Sequence, residues 1–268
     1  MRKFALFASL VFWSFLFGKE EEPIDFNLLE KREIEGEKIY FLKDKNEPFT
    51  GKSVELYENG NKWVVNYSKG KNDGLSVYSY PNGAKAYIDF YVNGKMVYAK
   101  SWKPDGSICD VTNVVDGDGV AQTYHPNGSI EWRANIKNGH YNGLDTWWYE
   151  NGQKESEANY KDGKQDGLAT HWYENGEKKA EANYEVGKQD GLVTVWHENG
   201  KKKVESSYKA GEADGITTRW QENGQMKEES NYKNGKKNGL TIIYDVNGKE
   251  TLRRHYLNGA ITLEHKSP

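Results

Sequence analysis

The chain has 268 residues and a formal net charge of −3; 36% of its residues are hydrophobic, 13% are aromatic and 28 are glycine. The aromatic content argues against disorder, and the near-neutral charge argues against a nucleic-acid partner. A mean hydropathy of −0.94 excludes a multi-span membrane protein. The single cysteine, Cys109, excludes an intrachain disulfide. These features together indicate a soluble, turn-rich β protein.

Residues 1–18 have the pattern of a secretory signal peptide. Two basic residues precede an apolar run from Phe4 to Phe17, and three glutamates follow closely. This run is shorter than the roughly 20 residues that span a bilayer. We therefore expect export to the periplasm, the cell surface or the medium. Leu16 is large where a cleavage site favours a small residue, so an uncleaved membrane anchor is the alternative, and membrane association is expected only through it.

From residue 47 to residue 259 the chain repeats a unit of 24 residues, in about nine copies. Each unit has two alternating runs, typical of strands, joined by Asn-Gly, which favours a type I′ hairpin turn. A looser turn such as Val186-Gly187 leads to the next unit. The pattern predicts an all-β, elongated antiparallel meander of β-hairpins. Around residues 95–118 the code degenerates, which predicts a kink or break in the sheet. The glycines of the regular Asn-Gly steps include Gly152, Gly176, Gly200 and Gly224.

Stacking the units predicts which side chains are buried. The first strand of each unit alternates Leu, Thr and Trp, and the return strand carries a small residue followed by Tyr. Because this set is uniform and mostly apolar, we expect it to form one buried face. The opposite face is expected to be solvated, with glutamates such as Glu181 beside Lys179, Lys203 and Lys227. The rings assigned to the buried face are Trp148, Trp172, Trp196, Trp220, Tyr160, Tyr184, Tyr208 and Tyr232.

Additional elements are expected at both ends of the repeats. Residues 19–46 are interpreted as an N-terminal capping segment, with a strand at Ile39–Leu42 that starts the sheet and a short helix at Ile24–Glu33. Residues 260–268 are interpreted as a capping strand and tail. Within them, Ala260–Glu264 is predicted to be a final strand that shields the open edge of the sheet.

The repeated unit resembles a known family. Residues 166–188 read DGLATHWYENGEKKAEANYEVGK, and residues 142–164 are nearly the same. They resemble the bacterial variant of the MORN (membrane occupation and recognition nexus) repeat, over roughly residues 47–259. The resemblance implies a binding scaffold without a catalytic residue. Members are commonly labelled YwqK-like antitoxins, and eukaryotic relatives are implicated in lipid and protein binding. An export signal conflicts with an antitoxin that must meet a cytoplasmic toxin.

No pattern of catalytic, cofactor-binding or metal-binding residues is found, so we predict a protein that is not an enzyme and has no cofactor. His171 and His197 occupy different places in their units, and no His-x-x-x-His or Cys-x-x-Cys spacing occurs. The recurrent Asp-Gly steps are expected to be turns, because one aspartate per turn falls short of the oxygens that calcium needs. Cys109 is expected to be inert rather than a redox centre.

The remaining face of the first strands varies from unit to unit and is the candidate recognition surface. Exposed aromatic side chains suit recognition because they supply rigid, amphipathic contact area. Ordinary packing between hairpins is the alternative interpretation. We predict an exported scaffold that binds another protein; a cell-wall or carbohydrate-binding repeat protein and an antitoxin are the alternatives. The candidate residues are Trp147, Tyr149, His171, Tyr173, His197 and Arg219.

Overall fold

The structure is a computed structural model that describes residues 22–34 and 37–266. The predicted signal peptide, residues 1–18, lies outside this range. The described residues form 22 β-strands and one short 3-10 turn. None of them belongs to a helix long and apolar enough to cross a membrane. The predicted all-β class is confirmed.

The strands are distributed over three sheets. A two-stranded sheet pairs β2 (Leu29–Ile34) with β3 (Glu37–Leu42). The seven-stranded sheet contains β1 (Ile24–Asp25), β4 (Gly51–Leu56), β5 (Lys62–Ser68), β6 (Lys71–Asn72), β7 (Gly74–Ser79), β8 (Lys85–Val92) and β9 (Lys95–Ser101). Its pairs are antiparallel except that β1 runs parallel to β4.

The third sheet is the predicted meander, with 13 strands in which each strand pairs with the next one along the chain. The strands are β10 (Gly119–Tyr124), β11 (Ile130–Lys137), β12 (His140–Trp148), β13 (Lys154–Lys161), β14 (Lys164–Trp172), β15 (Lys178–Glu185), β16 (Lys188–Trp196), β17 (Lys202–Lys209), β18 (Glu212–Trp220), β19 (Met226–Lys233), β20 (Lys236–Tyr244), β21 (Glu250–Leu257) and β22 (Ala260–Lys266). We call strands β12–β22 of this sheet the array.

The N-terminal segment differs from its prediction in two respects. The prediction of a short helix at Ile24–Glu33 is wrong, because this stretch forms β1, a 3-10 turn at Phe26–Leu28 and most of β2. Pairing with β3 satisfies the backbone of β2, and Leu29 enters a small core with Phe49 and Tyr67, so tertiary packing decides the local structure. The strand expected at Ile39–Leu42 is confirmed as part of β3, although it pairs with β2 and does not start the large sheet.

The expected break in the sheet is present between β9 and β10. At this junction the two sheets overlap and form the larger hydrophobic core, which includes Tyr87, Met96, Val114 and Trp132. The rings of Tyr87 and Trp132 meet edge to face, with centroids 6.1 Å apart. Within the described chain, the major contacts of β13–β22 are with their sequence neighbours alone, so no second layer covers the array.

The type I′ turn was predicted at the Asn-Gly step within each unit, and a looser turn was predicted between units. The structure shows the reverse, because the type I′ turn lies between units. Val186 and Gly187 have φ of 49° and 82°, and Glu185 pairs directly with Lys188, as in a two-residue type I′ hairpin. At the Asn-Gly step only the glycine, Gly176, has positive φ. The Asn-Gly turn is a three-residue loop, in which the Gly176 N–H donates a hydrogen bond to the carbonyl oxygen of Tyr173, 2.9 Å away.

Side-chain hydrogen bonds explain the asparagine of the Asn-Gly step. Asn175 Oδ1 accepts from the backbone N–H of Glu177 at 2.9 Å, within the turn. Asn175 Nδ2 donates to the carbonyl oxygen of Glu198 at 3.3 Å, in the next repeat. The prediction failed because it considered the backbone preference of Asn-Gly and not this bond between repeats. The equivalent asparagines Asn127, Asn151, Asn199 and Asn223 make the same inter-repeat contact.

The pairing register contradicts the predicted buried face. Thr170 lies opposite Glu181, and Ala169 lies opposite Ala182, so the Leu-Thr-Trp series shares a face with the glutamates. We call this the tryptophan face. The tyrosines and the small residues share the other face, which we call the tyrosine face, with the variable positions such as His171. The prediction grouped side chains by apolarity, whereas the register groups them by cross-strand pairing.

Both faces of the array are partly solvated. On the tryptophan face, Leu144, Leu168, Leu192 and Ile216 are 41–52% exposed, and the four tryptophans are half-buried. On the tyrosine face, Tyr160, Tyr184, Tyr208 and Tyr232 are half-buried as well. The fully buried side chains are small ones along the middle of each face, which the longer neighbours cover. They are Thr146, Thr170 and Thr194 on the tryptophan face and Ala158, Ala169, Ala182, Ser206, Thr217, Ser230 and Thr241 on the tyrosine face.

The two edges of the 13-stranded sheet differ. At β10, the Thr112 hydroxyl bonds both the N–H and the carbonyl of Gln122, at 3.1 Å each, so a loop covers this edge. At the other end, the strand predicted at Ala260–Glu264 is confirmed within β22, but every residue of β22 is exposed. The strand is therefore itself the open edge and does not shield one.

Candidate interaction surface

The tyrosine face of the array is organised in three columns that run across the strands. The middle column contains small side chains: Ala158, Ala169, Ala182, Val193, Ser206, Thr217, Ser230 and Thr241. One flank contains the tyrosines Tyr160, Tyr184, Tyr208 and Tyr232. The other flank is chemically varied: Trp147, Ser156, His171, Ala180, Val195, Val204 and Arg219. The middle column of small residues therefore lies between the half-buried tyrosines and a flank whose side chains range in size from Ala180 to Trp147.

Trp147 lies where the core of the junction reaches the surface. Its ring is 5.8 Å from that of buried Trp132, and the Trp147 side chain is 41% exposed. Both indole N–H groups donate to Asp145, at 2.7 Å from Trp132 and 3.1 Å from Trp147. Burial raises the pKa of Asp145, although these two hydrogen bonds act in the opposite direction. Trp147 is thus an exposed aromatic ring that is held in one orientation.

His171 is exposed and lies between Ser156 and Ala180 on the neighbouring strands. Partial burial and the positive charge of Lys179 lower the pKa of His171, while Glu155 raises it to a smaller extent. The lowered pKa favours the neutral form of His171, which offers the surface a hydrogen-bonding ring without a charge.

Three of the candidate residues connect successive repeats. Tyr149 and Tyr173 donate their hydroxyls, at 2.8 Å each, to the carbonyl oxygens of Trp172 and Trp196. His197 occupies the same place in its unit, with Nε2 3.3 Å from the carbonyl oxygen of Trp220. All three are half-buried. The packing interpretation therefore applies to the polar tips of all three side chains. The recurrence of hydrogen-bonding side chains at this place was a signal for this role.

Arg219 lies beside a cavity of about 630 Å³ that the sequence did not reveal. His197, Lys203 and Lys227 also line this cavity, and Val204 and Tyr244 supply apolar wall. Lys203 and Lys227 were predicted to lie beside glutamates on the solvated face. A β-bulge after each Asn-Gly turn changes this assignment, because it leaves one residue of the return strand without a cross-strand partner.

The tryptophan face pairs its charges internally. Lys154 and Lys178 lie 5.7 Å from the ring centroids of Trp172 and Trp196, and Lys202 lies 5.8 Å from that of Trp220. The same three lysines form ion pairs with Glu157, Glu181 and Glu205. It is thus Lys178, and not Lys179 as predicted, that pairs with Glu181. Trp172, Trp196 and Trp220 are each covered by a lysine that forms an ion pair with a glutamate.

The Asp-Gly aspartates hold neighbouring turns. Asp190 Oδ2 accepts from the N–H of Ala210 at 3.0 Å, and Asp118 Oδ1 accepts from that of Asn138 at 2.7 Å. Among the residues with described positions, no three His, Cys, Asp or Glu side chains come together as a metal site. Cys109 is buried, with its Sγ 3.2 Å from the Tyr124 hydroxyl.

Comparison with known families agrees with this geometry. Five consecutive segments match the family model of the MORN repeat variant: residues 117–138, 141–162, 165–185, 189–210 and 213–234. The five matched segments, which span strands β10–β19, are therefore similar to MORN repeats. The match does not distinguish a YwqK-like subtype. No curated protein matches the chain.

Proposed function

We propose that this protein is a non-enzymatic scaffold that binds another protein through the tyrosine face of its array. The observation that carries the proposal is the contrast between the two faces. The tryptophan face repeats the same Trp, Lys and Glu contacts from unit to unit, whereas the tyrosine face exposes different side chains on the same frame, including Trp147, His171 and Arg219. A rigid repeated frame with variable positions is how repeat proteins present binding surfaces.

Capture of a partner from envelope extract tests the proposal. We expect the full chain to retain a defined protein, and Trp147→Ala with Arg219→Ala to reduce its recovery at least tenfold. Leu168→Ala with Leu192→Ala is the matched control, because these residues are exposed to a similar extent on the tryptophan face. Equal loss in both double variants, or in neither, contradicts a specific role of the tyrosine face.

Two further experiments separate the alternative functions. Retention on purified peptidoglycan alone, abolished by Trp147→Ala and Tyr149→Ala, identifies a cell-wall protein instead. Rescue of growth from a neighbouring gene's toxic product by the chain without residues 1–18 identifies an antitoxin instead.

We further propose that the protein is exported through residues 1–18. The basic start, the short apolar run and the glutamates that follow support this proposal. Sequencing the N-terminus of the mature protein, together with cell fractionation, tests it. A mature chain that begins after Gly18 in the envelope or medium is expected, and an intact N-terminus in the cytoplasm contradicts export.

A further inference from the structure

We propose that the partner is held through an extended acidic segment that lies across strands β15–β20 on the tyrosine face. This inference rests on the proposed function and names the chemistry of the partner. It follows from a row of lysines, from their lack of ion-pair partners in the described chain, and from the cavity beside them.

Lys179, Lys203 and Lys227 recur at the same place in three successive repeats. Each of these lysines is the residue that a β-bulge leaves without a cross-strand partner. In the first case Trp172 lies opposite Lys178 and His171 lies opposite Ala180, so Lys179 is skipped. The registers of β16–β17 and β18–β19 have the same form. Since neighbouring strands are about 4.8 Å apart, lysines on alternate strands form a row with a spacing of about 10 Å.

The lysines of this row form no ion pair within the described residues, although two carboxylates, Glu222 and Asp245, also line the cavity beside Lys203 and Lys227. The adjacent Lys178 and Lys202 form ion pairs with glutamates, whereas Lys179, Lys203 and Lys227 have no such partner in the described chain. Lys179 lies 5.6 Å from the Tyr173 ring centroid, and its positive charge adds to the effect of burial in lowering the pKa of His171.

Arg219 adds a fourth positive charge between Lys203 and Lys227. The nearest acidic side chain across the strands is Glu228, whose carboxylate is already bound by Lys237 and by the Ser230 hydroxyl, at 2.6 Å each. Arg219 forms no ion pair among the described residues, although its charge contributes to lowering the pKa of Glu228. It lines the cavity, where its guanidinium can donate hydrogen bonds to a carboxylate.

The spacing of the row selects the form of the ligand. A polyproline II segment has three residues per turn and a rise of about 3.1 Å per residue, so every third side chain points the same way about 9 Å further on. Acidic side chains at every third position would each meet one lysine of the row. The intervening apolar side chains would meet Val204 and Tyr244, which line the cavity. A membrane surface does not match this pattern, because the lysines form a single row beside a concave cavity.

Binding of synthetic peptides to the full chain tests the inference. The probe is a labelled peptide with four repeats of Glu-Pro-Leu, and the comparison is a peptide of the same composition with its glutamates adjacent. We expect the periodic peptide to bind at least tenfold more tightly, and its affinity to fall as salt is raised. Lys179→Gln with Lys203→Gln and Lys227→Gln should weaken binding at least tenfold. The control variant makes the same change of charge at three exposed lysines beside the turns between units: Lys161→Gln, Lys164→Gln and Lys188→Gln. This variant should change the affinity for the peptide less than twofold.

Each other outcome overturns the inference. Equal affinity for the two peptides removes the spacing argument, and equal weakening by the two triple variants removes the lysine row. Lysine-dependent binding to phosphatidylserine vesicles without peptide binding makes the ligand a membrane. The proposed function is tested separately: a partner whose capture depends on Trp147 and Arg219 but not on the lysine row preserves that function while this inference fails.

Discussion

Strands β4–β9 and strands β12–β22 carry related glycine patterns but bury their side chains differently. In the seven-stranded sheet and at the junction, large side chains such as Val65, Tyr87 and Met96 are buried. In the array the fully buried side chains are small, and the aromatic rings are half-buried on both faces. The difference shows that a regular repeat can form a sheet without a second layer, provided that each strand is flanked by well-matched neighbours.

This difference separates two tasks within one chain. The junction supplies a conventional core that fixes one end of the array, and the array keeps both faces available. Substitutions at equivalent residue types in the two regions should therefore differ in their effect on stability.

The largest expected effect is at the junction. Trp132→Ala removes a ring that is 6% exposed and contacts Tyr87, so we expect the free energy of unfolding to fall by about 3–5 kcal/mol. Trp196→Ala removes a half-buried ring covered by Lys178, and we expect a loss of about 1–2 kcal/mol. Urea denaturation of both variants measures the difference. Equal losses contradict the contrast between the two regions.

The second expected effect is a dependence of stability on pH, and it arises at Asp89, a buried carboxyl in β8 of the seven-stranded sheet. Asp89 is 2% exposed, and its Oδ1 atom has no hydrogen-bond partner among the described residues. Burial raises the pKa of Asp89 from 3.8 to about 7, although Tyr91 and Ser76 act in the opposite direction. Because the folded state holds the proton more tightly, this group's contribution to stability is full below pH 3.8 and is lost as the pH rises to about 7. The loss over this window is on the order of 3–4 kcal/mol.

Asp89→Asn tests this expectation. Relative to the unmodified chain, the variant should gain stability as the pH is raised from 4 to 7, and the gain should be constant above that. Asp162→Asn, at an exposed turn, serves as the control and should show no such trend. A difference between Asp89→Asn and the unmodified chain that does not change with pH contradicts the burial of an unpaired carboxyl.

A smaller effect is expected in the turns of the array. Val186 has φ of 49°, a conformation that a β-branched residue adopts at a cost. Val186→Asn should therefore raise the free energy of unfolding by about 1 kcal/mol, because asparagine tolerates this conformation. Val246→Asn is the matched control, since Val246 is an exposed turn residue outside the positive-φ set. A similar gain in both variants would mean that polarity, and not backbone strain, is the cause.

The sequence was sufficient for the architecture but not for the faces. The glycine series and the alternating runs predicted the meander, and the loss of the glycine code predicted the break after β9. The faces were misassigned because similar chemistry was taken as evidence of a shared face, whereas Thr170 is paired with Glu181 by the register. The roles of Lys178 and Lys179 were exchanged for the same reason, since a bulge is invisible in the repeat pattern.

The candidate surface was predictable in part. Variation among Trp147, His171 and Arg219 was visible in the aligned units, and the structure places all three in one column of the tyrosine face. The hydrogen bonds of Tyr149 and Tyr173 to the next repeat were missed, because they depend on how successive hairpins stack.

Hydroxyl-radical footprinting, read by mass spectrometry, tests most directly whether the array is a single layer open on both sides. Trp172 on one face and Tyr184 on the other should both be oxidised readily, while Trp132 and Tyr87 at the junction should be protected. Protection of either Trp172 or Tyr184 to the level of Trp132 would mean that one face of the array is covered, and would contradict a single layer with two open faces.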